Sequence, residues 1–286
     1  MAQRLLTAIF FVCLFLPICA KANEPAAGHH ATPSIFVERT TVAPDSTIRL
    51  LVSFKIDPTW HLYWDGQNDT GQPPRFSWTL PAGWTISEPQ FPVPRRNVQP
   101  GGIVDYIYES SLTLGFTLNI PKAAETKSTA FAAAIEWLEC SDRCMFGAGE
   151  VKAELNVQVS VDKPASQADS NSKKLLAAFD SHLPKPISDA KDLVIEVKNN
   201  TVVFSAKTAV RLEYYPGKSS SIPKEPLEGT SAIDGPLTVA FISENSEPLV
   251  DGIVAIYRTK GGPAEYYQVS RVPAPKATEP QKSTIK

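Results

Sequence analysis

Apolar and polar residues alternate one for one from Val151 to Ser160. Val151, Ala153, Leu155, Val157 and Val159 fall on one side, and Lys152, Glu154, Asn156, Gln158 and Ser160 on the other. That period of two is the pattern of a half-buried β-strand. Leu112, Leu114, Phe116 and Leu118 share one face in the same way, Arg75 to Leu80 alternates around Phe76 and Trp78, and Thr47 to Ile56 alternates in its second half. Strand signals start at Ile35, and the mostly apolar run from Ala130 to Leu138 leads directly into Cys140. A second strand-rich block contains Leu193 to Val197, Thr201 to Ala206, Val210 to Tyr215, Leu237 to Ile242, Gly252 to Arg258 and Tyr266 to Val269. Between the blocks, Asp162 to Ser172 reads as a polar linker. Ser172 is placed to cap a short helix, Lys173 to His182, with Leu175, Leu176 and Phe179 on one side and Pro184 and Pro186 at its end. With 25 prolines and 15 glycines punctuating short strands, the pattern predicts an all-β protein of two tandem β-sandwich domains joined by a linker and a short helix. The expected boundaries are 33–160 for the first sandwich, 161–189 for the linker and helix, 190–272 for the second sandwich and 273–286 for a disordered tail.

The amino terminus changes the picture. Arg4, the apolar run Leu5 to Leu16 and the small-x-small pattern Ala20-Lys21-Ala22 form a secretory signal over residues 1–22. Its apolar run is short for a membrane span. A lipoprotein reading at Cys19 is disfavoured because Pro17 and Ile18 stand where small residues are needed. Removing the signal removes Cys13 and Cys19 and leaves one pair, Cys140 and Cys144, in an oxidising compartment. No later stretch is apolar enough to span a bilayer, so the exported chain is expected not to be membrane-spanning. Arg4 and Lys21 lie in the signal and no acidic residue does, which takes the net charge from −2 to −4. A mildly acidic chain argues against nucleic acid as a partner. His29-His30 reads as part of a mobile tail over residues 23–32, with weak copper or nickel binding as the alternative.

Cys140 and Cys144 stand in Trp137-Leu138-Glu139-Cys140-Ser141-Asp142-Arg143-Cys144. An exported pair is either a structural staple or a working redox switch. A closed loop of about five residues contributes only roughly 2 kcal/mol in the chain-entropy model, and a sandwich of this size buries enough apolar area to fold without it. Arg143 favours a thiolate, whereas Glu139 and Asp142 oppose it. A metal site using both cysteines would need further ligands from His29, His30, His61 and His182; the packed or hydrogen-bonded reading of His61 is preferred, and no metal or cofactor is assigned.

The motifs taken in order carry a resemblance. They are Trp60-His61-Leu62-Tyr63-Trp64, Gly71-Gln72-Pro73-Pro74-Arg75-Phe76-Ser77-Trp78, Leu80-Pro81-Ala82-Gly83-Trp84, Phe91-Pro92-Val93-Pro94-Arg95-Arg96, Tyr106-Ile107-Tyr108-Glu109 and the cysteine octapeptide. Together they resemble the amino-terminal periplasmic domain of the thiol:disulfide interchange protein DsbD, in the variant found in the suppressor-of-copper-sensitivity protein ScsB. Arg211 to Pro216 and Leu249 to Val254 carry a weaker likeness to the second β-rich segment of ScsB-like proteins.

The resemblance implies immunoglobulin-like sandwiches in the periplasm, with Cys140 and Cys144 as the catalytic redox pair. It implies periplasmic thioredoxin-fold proteins as partners and a separate membrane electron donor, since this chain has no thioredoxin Cys-x-x-Cys motif. It also favours Cys144 as the residue that links to partners. Family members shield the pair with a cap loop, which corresponds here to Asn97 to Tyr106 and lacks an aromatic residue at its glycine-rich tip. After Cys144 this chain has Met145-Phe146-Gly147 where many relatives have a Pro-Gly. Tyr63, Trp64 and Trp137 are either the apolar surround of the pair or sandwich core. The rival reading is a non-catalytic periplasmic binding or chaperone module in which the pair is a structural disulfide.

Overall fold

The computed structural model describes residues 29–158, 170–242 and 247–270. The signal at 1–22, most of the linker and the tail at 273–286 lie outside the described residues. Within them the chain is all-β apart from one α-helix and a 3-10 turn, as the alternation predicts.

The first lobe has eleven strands: β1 Ala31–Val37, β2 Thr41–Val42, β3 Ser46–Ile56, β4 His61–Tyr63, β5 Arg75–Thr79, β6 Thr85–Ile86, β7 Arg95–Val98, β8 Val104–Glu109, β9 Ser111–Ile120, β10 Ser128–Cys140 and β11 Cys144–Val157. One sheet has the order β1-β3-β9-β6. The facing sheet runs β2-β11-β10-β4-β8-β7, with β5 also paired to β10. Alternate residues of both sheets turn inward, so Leu50, Val52, Phe54, Leu114, Phe116, Phe131, Ile135 and Trp137 form one core. This is an immunoglobulin-like β-sandwich.

Helix α1, Ser170–Ser181, starts ahead of the expected Lys173. Ser172 is therefore buried within the helix rather than standing before it as a cap. The expected apolar side is real: Leu176 and Phe179 pack on Leu51 of β3, on the outer face of the four-stranded sheet.

The second lobe comprises β12 Lys185–Pro186, a 3-10 turn Ile187–Asp189, β13 Leu193–Lys198, β14 Thr201–Ala206, β15 Arg211–Pro216, β16 Ser231–Ile233, β17 Leu237–Ala240, β18 Gly252–Tyr257 and β19 Ala264–Val269. Its sheets are β12-β19-β18-β15-β16 and β13-β14-β17, closing on Val202, Phe204, Leu212, Tyr214, Val239 and Ile256.

The lobes are not independent beads. Tyr215, Ile253 and Ala255 of the second lobe belong to the core of the first. The rings of Tyr106 and Tyr215 lie 4.9 Å apart. Polar contacts surround them: Gln67 Nε2 donates to the Ser220 carbonyl at 2.6 Å, Arg96 Nη2 to the Leu227 carbonyl at 2.7 Å, and Lys218 pairs with Asp65 at 2.7 Å.

Candidate functional site

The cysteines close the free end of the β10–β11 hairpin, whose pairing runs from Ser128 opposite Asn156 to Cys140 opposite Cys144. The residues between them make a tight turn in which the Ser141 N–H donates to the Arg143 carbonyl at 3.0 Å. Directly opposed antiparallel residues bring their Cβ atoms within bonding range. The two are joined as a disulfide with a Cα–Cα distance of 4.1 Å.

The pleat of β10 decides what surrounds them. Trp137 and Glu139 point into the sandwich, and Leu138 and Cys140 point to the outer face of the seven-stranded sheet. Cys140 is 2% exposed, under Tyr63 and Ile107 with Leu138 beside them. Cys144 is exposed, and Phe146, two residues on along the same face, is 84% exposed. Within Met145-Phe146-Gly147, the glycine has a packing reason. Gly147 stands opposite Trp137, whose indole would collide with any Cβ there.

Glu139, next to Cys140 in sequence, faces the opposite way. Its carboxylate is fully buried on the other side of the sheet. It accepts the backbone N–H groups of His30 and Ala31 at 2.9 and 2.8 Å and the Trp137 indole N–H at 2.8 Å. This corrects the tail reading of His29-His30. Both are ordered against the lobe, with His30 stacked on Trp60 at 3.8 Å and His29 edge-on to Trp137 at 5.6 Å. Strand β1 begins at Ala31, ahead of the first strand signal at Ile35.

His61 is the histidine beside the pair. The row Glu109, His61, Cys140, Cys144 crosses β8, β4, β10 and β11 at one level. His61 Nε2 lies 3.1 Å from the Tyr63 hydroxyl, and that hydroxyl lies 4.0 Å from Cys144 Sγ and 3.5 Å from Thr70 Oγ1. Thr70 belongs to a segment that folds back over the ring of Tyr63. Gly71 presses on that ring so closely that no side chain fits there. The fully buried Asp105 anchors the segment, accepting the Thr70 hydroxyl at 2.6 Å and its N–H at 3.0 Å. Burial pushes the His61 imidazole below its ordinary value, against the opposing pull of Asp105 and Glu109. Burial likewise pushes the Tyr63 phenol up.

Of the expected aromatic surround, only Tyr63 touches the disulfide. Trp64 and Trp137 are sandwich core. The expected cap segment Asn97 to Tyr106 is instead most of the β7–β8 hairpin. Its turn at Gly101-Gly102 uses positive φ angles of 90° and 84°, and its tip lies against Leu227 of the second lobe. His182 binds the Ala178 carbonyl at the end of α1. Among the described residues, no group of three or more His, Cys, Asp or Glu side chains is placed to hold a metal ion.

Residues 33–156 match the family model described as thiol:disulfide interchange protein DsbD, N-terminal. The chain is similar to the crystal structure of the N-terminal periplasmic domain of ScsB from Proteus mirabilis, at 13% identity and a TM-score of 0.56, over 87% of this chain and 97% of that one. It also aligns with the N-terminal domain of Neisseria meningitidis DsbD in the reduced form, at 13% identity and a TM-score of 0.26, over 42% of this chain and 84% of that one. No curated protein matches it. The ScsB likeness extends the shared fold across both lobes.

Proposed function

Because residues 33–156 match the family model of the DsbD amino-terminal domain, we propose that this protein is a thiol–disulfide exchange module of the periplasm, with Cys140 and Cys144 as its redox pair. The supporting observation is the asymmetry of the disulfide: one sulfur is shut under Tyr63 and Ile107, and the other is open beside an exposed Phe146.

That asymmetry supports a division of roles. In the reduced protein the Cys144 thiolate attacks a sulfur of the partner's disulfide. The partner's bond breaks, one partner sulfur leaves as thiolate, and a mixed disulfide to Cys144 forms. Cys140 then attacks Cys144 Sγ as thiolate. The intermolecular bond breaks, the second partner thiolate leaves, and Cys140–Cys144 re-forms. Two electrons have passed to the partner, which takes up two protons. Partners are thioredoxin-fold proteins, whose exposed disulfides suit attack from an exposed thiolate. A separate membrane-linked donor returns the electrons. Among the described residues no helix is long and apolar enough to cross a membrane.

Trapping with single-cysteine variants tests this reading. Cys140→Ser should accumulate a mixed disulfide with a thioredoxin-fold protein through Cys144, whereas Cys144→Ser should not. The parent disulfide should equilibrate with the partner within minutes. A disulfide that never exchanges would return the pair to the role of a staple.

A further inference from the structure

We propose that His61 switches the Tyr63 hydroxyl between two partners and so sets the pH range in which Cys144 is a stabilised thiolate. This rests on the reading of the pair as redox-active. Tyr63 touches the reacting sulfur, and His61 acts through it as a positioning residue.

The geometry leaves the Tyr63 proton few choices. A tyrosine hydroxyl has one proton to give. Around it lie His61 Nε2 at 3.1 Å, Thr70 Oγ1 at 3.5 Å and Cys144 Sγ at 4.0 Å. Thr70 has committed its own hydroxyl proton and N–H to Asp105, so toward Tyr63 it can only accept. When His61 is neutral with a bare Nε2, that nitrogen is the nearest acceptor and holds the phenol proton. When His61 is protonated, Nε2–H must donate, the phenol oxygen becomes its acceptor, and the phenol proton swings away. A Cys144 thiolate is then the strongest acceptor in reach, since charged acceptors bind more tightly than neutral ones.

Two effects therefore act in one direction. The imidazolium charge and the released phenol hydrogen bond both favour the thiolate over the thiol. No proton is consumed. The phenol keeps its proton throughout, held by burial, and returns to His61 Nε2 when the imidazolium loses its own proton to water. In the reverse reaction the same hydrogen bond makes Cys144 a better leaving group.

The groups facing His61 fit this role. Glu109 stands directly across from it on β8 and is held by both Arg95 Nε and Nη2 at 2.9 Å. Buried Asp105 is reached through Thr70 and Tyr63. Cys140 is its neighbour on β10, and Asp142 and Arg143 in the turn are exposed. The imidazole is half-buried, so water can deliver its proton.

The test needs no protein partner. Full-length exported protein is reduced, labelled with iodoacetamide across a range of pH, and digested, and mass spectrometry reads the label on Cys144. The parent should show a two-step profile, the lower step belonging to His61. In His61→Gln, which can still hydrogen-bond but cannot titrate, the lower step should vanish. At pH values low enough to protonate His61, labelling should fall by about tenfold, the order of one charge-assisted hydrogen bond, and the curves should converge at high pH. Tyr63→Phe should lose part of that enhancement. Superimposed profiles for the parent and His61→Gln would overturn the proposal, as would a Tyr63→Phe profile equal to the parent. Should the phenylalanine variant misfold, His61→Gln carries the test by itself. If exchange with a thioredoxin-fold protein fails while these profiles differ, the proposed function falls and this inference stands.

Discussion

Glu139 accepts the backbone N–H of Ala31 at 2.8 Å, which ties the start of β1 to the residue before Cys140. The same carboxylate holds the indole of Trp137 and the N–H of His30. A buried carboxylate is stable only while its oxygens are bonded, and its donors are stable only while it is present. Glu139→Ala strands all three donors. It should lower stability by ~2–4 kcal/mol, a fall in melting temperature on the order of 10 °C. Glu139→Gln should also destabilise, since its amide nitrogen meets a donor instead of accepting. Thermal unfolding followed by circular dichroism measures both. A melting point unchanged in Glu139→Ala would remove Glu139 from the anchoring of β1.

Loss of the disulfide should be mild. The hairpin is already held by pairing along its whole length, and closing so short a loop contributes only ~2 kcal/mol. The double variant Cys140→Ser/Cys144→Ser should fold and melt about 5 °C lower. A variant that does not fold would mark the pair as a structural necessity.

His61 should leave a trace in stability against pH. Its folded value is lowered by burial, so the unfolded chain binds the proton more readily than the folded one. The stabilising preference for the neutral ring is then complete above the ordinary histidine value of about 6.5. It is lost as pH falls from there to the depressed folded value. Denaturant midpoints for the parent should decline through that window, and His61→Gln should show a shallower decline. Parallel curves would contradict the assignment.

The two lobes should unfold together. Tyr215 is 2% exposed and sits in the core of the first lobe. Tyr215→Ala should cost about 3–5 kcal/mol. The tryptophans at 60, 64, 78, 84 and 137 all lie in the first lobe, so their fluorescence reports on that lobe alone. The substitution in the second lobe should nevertheless shift the fluorescence transition to lower denaturant. An unshifted transition would mean that the lobes are energetically separate.

Strand alternation carried most of the fold into view. Val151 to Val157 and the run into Cys140 became the paired strands β11 and β10, because a period of two has one solution when one face is buried. The same rule places Glu139, one position from Cys140, on the opposite face. The pairing of His61–Tyr63 is not legible in the sequence, because three residues make no period and their partners β8 and β10 are far along the chain. The β7–β8 hairpin was hidden in the same way, with its glycine turn reading as a loop. His61 carried no local signal that it would lie beside a sulfur on another strand. The shared core was invisible as well, since Tyr215, Ile253 and Ala255 read as core of their own lobe.

That shared core also bears on the order in which the chain matures. Tyr106 meets Tyr215 across a long span of sequence, and contacts of such separation form late and slowly. As the chain emerges from its amino end, the first sandwich can pair its strands once β11 is available. Its last core positions stay vacant until Ile253 and Ala255 arrive. Throughout that interval a partly built sandwich exposes the aromatic surface around Tyr106 that the second lobe later covers.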